Sequence, residues 1–255
     1  MEIEALIKDL NKEIKSCTKC SLAETRTNAL CGEGNLHTRI MLVAQAPGEK
    51  EDIQGRMFIG PSGKMLDELL HETGVKRKEL YMTNLIKCRL PRNRRPKQTE
   101  IEACSPFLEK EISLLSPEIM VPLGYYATRH LLSIYDIPVP GAKEEFSGLY
   151  GRLLMGGNQK LYPLPHPASL LYNRSFKLQT TEKYRKLKVF SHECKWFPLC
   201  PIRNFVDQGK LSVEWIELYC KGDWGNCVRY NLEENGEYHS DRMLPDGTFI
   251  KEGSI

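Results

Sequence analysis

The chain has 255 residues, 41% of them hydrophobic, enough to bury one full core and leave a smaller appendix. No apolar run approaches the roughly 20 residues that span a bilayer, and no charged-then-apolar leader opens the chain, so it reads as a soluble, cytoplasmic protein with no membrane partner. The net charge of +3 is uneven: residues 1–190 hold 29 Lys+Arg against 22 Asp+Glu, residues 191–255 hold 7 against 11, and the larger, mildly basic part is compatible with a polyanionic partner.

In chain order, Cys17-x2-Cys20 comes first, a short loop able to offer two thiolates to one metal. "RIMLVAQ" (39–45) is nearly all apolar, as expected of a strand covered on both faces, and runs into Pro47-Gly48 and a cluster of acids. "SGKMLDELLHET" (62–73) has helical apolar spacing with Gly74 placed as its C-terminal cap. "LYMTNLIKC" (80–88) reads as the next strand. A helix is expected to open near Thr99, which stands in capping-box spacing with Glu102. "EIMVPLG" (118–124) is a third short strand, followed by the helical "YYATRHLLSIY". "GRLLMGGNQKLYPLPHP" reads as two strands joined at Gly-Gly-Asn, and a last helix falls within residues 177–190.

Strands alternating with helices imply an α/β fold, three layers around a mostly parallel sheet. Ligands of such sheets sit beyond the carboxyl ends of the strands. Gln45–Gly48, Asn84 and His166 fall at such ends.

Nine cysteines, odd in number and unevenly spaced, fit a disulfide framework poorly, and metal or cluster ligation accounts better for most of them. Cys88 ends a strand and Cys104 lies early in the following helix. With Cys17 and Cys20 they make a four-thiolate set that zinc or an iron–sulfur cluster accepts, while alone they would pass as small buried apolar residues. Cys31 has no partner by spacing and reads as structural. Gly60, Ser62 and Gly63 precede a helix whose free N–H groups favour an anion. Phe58, beside the Gln45 turn, can stack on a flat base or serve the core. Asn84 carries a donor and an acceptor, the pair that matches uracil O4 and N3–H, or else caps a turn. His166 is held between two prolines, a stiffly placed imidazole able to stabilise an anion. Arg89, Arg92, Arg94 and Arg95 follow the second strand and are suited to phosphates, or form a solvated basic loop.

Taken together, the Cys-x2-Cys pair, "AQAPGEKED", "MFIGPSGKMLD", "YMTNLIKCRLPRNRRP", "EIEACSPFL" and "PLPHPASLL" resemble, in order and interval, the family 4 uracil-DNA glycosylases over about residues 1–190. The resemblance implies a [4Fe–4S] cluster on Cys17, Cys20, Cys88 and Cys104, and uracil-containing DNA as the partner of a monomer. It implies a first uracil-binding turn at Gln45, Ala46 and Pro47, stacking by Phe58, base reading by Asn84, His166 at the leaving group and a carboxylate role for Glu51. It makes His166, Gln45 and Glu51 the catalytic candidates. Three positions depart from the family pattern: Gln45 stands where Glu is usual, Met57 where Pro is usual, and Pro165 where Tyr is common. An amide in place of the usual carboxylate at Gln45 keeps open a binding-only relative. No histidine occurs in "PRNRRPK", which argues against covalent trapping of the sugar.

Residues 191–255 hold all three tryptophans and four cysteines and read as a separate small module that the resemblance does not cover. Cys194-x5-Cys200 and Cys220-x6-Cys227 can form a second metal site, zinc or iron–sulfur, with His192 and His239 as spare ligands; the alternative is a small aromatic-rich domain with buried free thiols.

Overall fold

The computed structural model describes residues 2–190 and 193–250, which divide into two compact units between Tyr184 and Arg185. In the first unit the amphipathic N-terminal segment forms α1 (Glu2–Ser16), burying Ile7, Leu10 and Ile14 at spacings of three and four residues. The sheet is built from β1 (Glu33–Gly34), β2 (Ile40–Ala44), β3 (Tyr81–Asn84), β4 (Ile119–Pro122), β5 (Leu154–Gly156) and β6 (Gln159–Leu161). Their order is β1-β3-β2-β4-β6-β5, with β3, β2, β4 and β6 parallel and an antiparallel strand at each edge. This is the mostly parallel α/β sheet expected.

All five residues of β2 are buried. Met41 and Val43 share one apolar cluster with α1 and with residues of α4 (Gln98–Leu115) and α5 (Tyr125–Ile134). Ile40, Leu42 and Ala44 point the other way by strand alternation and are equally buried, so both faces of the sheet are covered. α2 (Glu49–Gln54) and α3 (Pro61–Thr73) follow β2, and Gly74 closes α3 in the left-handed region at φ 74°. α6 (Lys143–Ser147) precedes the β5–β6 hairpin, which turns at Gly157 (φ 57°). α7 (Ser169–Tyr172) and α8 (Lys177–Phe190) complete the series.

Two expectations are corrected. The second strand stops at Asn84, and beyond it the Leu85 and Ile86 N–H groups still donate to Ala44 O and Gln45 O. α4 begins at Gln98, and the carboxylate that caps it is Glu100, accepting from Lys97 N at 2.8 Å, in place of Glu102. The acids after Gly48 are the helix α2.

The second unit contains α9 (Pro201–Asp207), a π-helical turn over Ile216–Cys220 and α10 (Val228–Asn235). One small apolar cluster joins Ile202, Leu244 and Ile250, with Cys200, Phe205, Leu211 and Trp215 packed around them; Leu187, Phe190 and Ile216 are buried as well.

Candidate active site

β2 and β3 end side by side, with Ala44 opposite Asn84. The Ile86 N–H donates to Gln45 O at 2.9 Å, so the chain leaving β3 holds the Gln45 turn. One turn into α2, the buried Glu51 reaches back: its Oε1 accepts the Gly60 N–H at 2.9 Å. A Cβ at Gly48 would lie 2.6 Å from Glu51 Oε2, and one at Gly60 3.0 Å from both oxygens. The carboxylate is therefore lodged between two glycines and joins the first turn to the Phe58 turn. Asp52, also buried, accepts from Thr27 N and Asn28 N and fixes the segment before β1.

Phe58 is held in the left-handed region at φ 52°, an unusual conformation for a bulky residue. Two features enforce it. The Arg77 guanidinium donates to Phe58 O (3.1 Å) and to Met57 O while pairing with Asp67. Gly63 lets α3 approach so closely that a Cβ there would sit 1.8 Å from Phe58 O. Asn84 is buried, and its Nδ2 donates to Met57 Sδ at 3.2 Å. That contact is weak, because a thioether sulfur is a poor acceptor.

His166 sits on the loop after β6. Tyr184 Oη donates to Pro165 O (2.9 Å), and Gly124, at φ 83°, makes room for the histidine Cβ. The Ala168 N–H donates to His166 Nδ1 at 3.1 Å. An acceptor at Nδ1 fixes the tautomer with the proton on Nε2. The ring is half-buried by exposed area but densely surrounded, and burial depresses its pKa to about 4, so it is neutral at physiological pH.

These elements converge on one cavity of 480 Å³. It is lined by Gln45, Ala46, Pro47, Glu51, Phe58, Asn84 and His166, every base-site residue expected from the sequence. Met57, Asn93 and Tyr172 line it as well. Tyr172 is 89% exposed, an aromatic presented to solvent beside the cavity, and its place in "SLLYN" gave no signal.

The sequence matches the uracil DNA glycosylase superfamily over residues 31–188. It is 41% identical over 191 residues to the type-4 uracil-DNA glycosylase of Thermotoga maritima, an alignment covering 73% of this chain and 95% of that protein. It is 38% identical over 177 residues to the type-4 uracil-DNA glycosylase of Saccharolobus solfataricus, covering 69% and 82%. The chain belongs to the type-4 uracil-DNA glycosylase family.

Beside the family's cavity, Cys17, Cys20, Cys88 and Cys104 line a second, narrow one of 10 Å³. Arg26 Nη1 lies 3.2 Å from Cys88 Sγ, and the Lys87 N–H donates to Cys104 Sγ at 3.2 Å. Four sulfurs with a guanidinium and a backbone N–H aimed at two of them are a donor set suited to a thiolate-bound metal group. Burial pushes the Cys104 thiol up to about 11. Cys31 lies apart from this set, its Sγ 3.6 Å from Asn11 O.

Between Asn84 and Cys88, Lys87 is fully buried. Its Nζ donates to Glu111 Oε2 and Thr83 Oγ1, both at 2.6 Å, and Thr83 Oγ1 donates to the same Glu111 oxygen at 2.7 Å. The basic loop divides in use. Arg94 makes a two-pronged pair with Glu100 at the start of α4, and Arg89 faces Glu49 at 3.5 Å, so these two already have acidic partners within the chain. Arg92 and Arg95 are exposed, on a loop where Arg92 and Asn93 both take φ 54°.

None of the described helices is long and apolar enough to cross a membrane.

Proposed function

We propose that this protein is a uracil-DNA glycosylase that draws uracil out of the DNA stack into the strand-end cavity and hydrolyses its N-glycosidic bond, leaving an abasic site. The observation that carries the reading is the Ala168 N–H on His166 Nδ1, which leaves a neutral imidazole with an Nε2–H donor beside the other base-site residues. Breaking C1′–N1 sends the bonding pair into uracil, so negative charge develops at N1 and O2. A neutral donor fixed in a partly water-excluded site stabilises that charge without reorganising. His166 Nε2–H and the backbone N–H groups of the Gln45–Gly48 turn supply such dipoles. Phe58 stacks on the flipped base, and Asn84 exchanges its contact with Met57 for the O4 and N3–H edge of uracil.

Water adds to C1′ as the bond breaks, and its proton passes through solvent to the departing uracil anion, which leaves as neutral uracil. Glu51 uses Oε1 on Gly60, and its other oxygen orients that water. Gln45 need not accept a proton in this scheme; its contribution is the shape of the turn. Arg92 and Arg95 hold backbone phosphates. Cys17, Cys20, Cys88 and Cys104 hold a [4Fe–4S] cluster whose contribution is to tie the loop after β3 to the N-terminal segment.

The test is an end-labelled oligonucleotide with one uracil, treated with alkali after exposure to the protein. A cut at uracil and none in the thymine control supports the reading. Binding without a cut refutes it and favours a relative that has lost activity at Gln45, which Gln45→Glu would then restore.

A further inference from the structure

Cys194, Cys200, Cys220 and Cys227, in the C-terminal unit, line a single cavity of 210 Å³. They come from four separate turns: Cys194 and Cys220 are joined by a backbone hydrogen bond (Cys194 N to Cys220 O, 2.8 Å), while Cys200 and Cys227 stand at the starts of α9 and α10. Cys194, Cys220 and Cys227 are buried.

A second observation points to an anionic occupant. Arg229 is 3% exposed and lines the same cavity. Its Nη1 donates to the carbonyls of Ser240, Asp241 and Met243, yet its buried Nε has no hydrogen-bond partner. A buried guanidinium N–H without an acceptor is costly unless an anion completes it. The apolar lining, with Trp196, Tyr219 and Trp224 among it, lowers the local dielectric and strengthens that attraction. The first unit offers a parallel in Arg26, whose guanidinium faces a cysteine sulfur.

The unit also needs a staple. Its described buried apolar side chains are few: Ile202, Leu244 and Ile250 form one cluster and Leu187, Phe190 and Ile216 are buried besides, a small core for a unit of this size without a disulfide or metal. No disulfide joins these cysteines. We propose that Cys194, Cys200, Cys220 and Cys227 ligate a second iron–sulfur cluster, whose net negative charge Arg229 offsets and which holds the C-terminal unit folded. Zinc also accepts four cysteines, and metal content separates the two. His239 is not required, since its Nε2 lies 3.0 Å from the Glu233 carboxylate; His192 lies outside the described residues.

Iron and acid-labile sulfide are measured on the full-length protein purified without oxygen, as wild type, as Cys194→Ser with Cys220→Ser, and as Cys17→Ser with Cys20→Ser. Two cubane clusters give about eight iron and eight sulfide per chain in the wild type and about four in each double variant. The wild-type figure does not depend on any variant folding. About four iron per chain, retained when Cys194 and Cys220 are replaced, overturns the proposal and leaves the N-terminal cluster standing. About four iron retained only when Cys17 and Cys20 are replaced supports it and overturns the N-terminal assignment instead. About one zinc per chain, lost with Cys194 and Cys220, also overturns it.

Discussion

Gly63→Ala tests whether catalysis depends on the strained placement of Phe58. The added methyl carbon would sit 1.8 Å from Phe58 O, 2.2 Å from its carbonyl carbon and 2.8 Å from its Cα. All three are backbone atoms, so no rotamer change relieves the clash. To reach the 3.0 Å that real Cβ contacts require, helix and turn must part by about 1.2 Å. The turn gives way, because Phe58 is already held at φ 52° and α3 is anchored by Met65, Leu66, Leu69 and Leu70 in the core. Displacing a substrate-contacting ring by about 1 Å costs on the order of 100-fold in rate, or about 2.7 kcal/mol in the barrier. Stability changes less: overpacking costs about 1–3 kcal/mol, offset by about 1 kcal/mol from replacing glycine within a helix. Single-turnover excision with enzyme in excess gives the rate, and thermal unfolding gives the stability. Phe58→Ala should lose a similar factor, and the two changes combined should lose little more than either alone. Gly63→Ala with an unaltered excision rate refutes the placement of Phe58 as the base-stacking residue.

The remaining predictions concern charge. With its pKa depressed to about 4 by burial, His166 is neutral in its working form, so excision should stay level from pH 8 through 6.5 and fall toward a midpoint near 4. Its contribution to stability has the same sign: the unfolded imidazole protonates first, so that contribution is complete above the ordinary value of 6.5 and is lost as pH falls toward 4. A limb in kcat/KM near pH 6.5 that vanishes in His166→Gln would refute the neutral ring. Replacing Lys87 by Met leaves the Glu111 carboxylate buried without its cation and should remove about 3–5 kcal/mol from the urea unfolding free energy. The double change Lys87→Met with Glu111→Leu should recover much of this; equal losses would show that the pair is not coupled. Arg92→Ala and Arg95→Ala should each reduce the log–log slope of DNA affinity against salt by about one, whereas Arg94→Ala should lower Tm with a smaller effect on that slope. The opposite ranking would return Arg94 to the DNA-binding surface.

β2, β4, α3 and α5 were legible because their apolar patterns are unambiguous: they lie where "IMLVA", "IMVP", "MLDELL" and "YYATRHLL" put them. α1 was missed although Ile7, Leu10 and Ile14 carry its period, because the Cys-x2-Cys pair beyond it is the stronger local signal. α2 was missed for a physical reason: "EKEDIQ" has too little apolar content to mark a face, and two of its acids are buried through Glu51 on Gly60 and Asp52 on Thr27 and Asn28. The cavity's residues were legible as types at strand ends. What fixes them was not: the φ of Phe58, the Arg77 donors behind it and the Ala168 N–H on the imidazole are long-range or backbone features that no local pattern encodes. Arg94 shows the same limit, since its partner Glu100 decides whether a basic loop residue faces DNA or its own chain.

The same features explain how glutamine serves at the strand end. A glutamate, usual at position 45 in the family, would bring a charge that the proposed scheme does not use, since no proton has to be accepted there. Gln45 keeps the size and hydrogen-bonding capacity of the side chain without that charge. The turn does not rely on the side chain for its position, because Gln45 O is tied to Ile86 N and the chain beyond it is set by Glu51 between Gly48 and Gly60. With His166 neutral as well, the proposed reaction places dipoles nearest the leaving base and leaves the carboxylate of Glu51 for the water side. Stabilising a leaving anion by fixed dipoles asks for rigidity rather than basicity. Rigidity is what the two glycines, the two prolines around His166 and the Arg77 clamp supply.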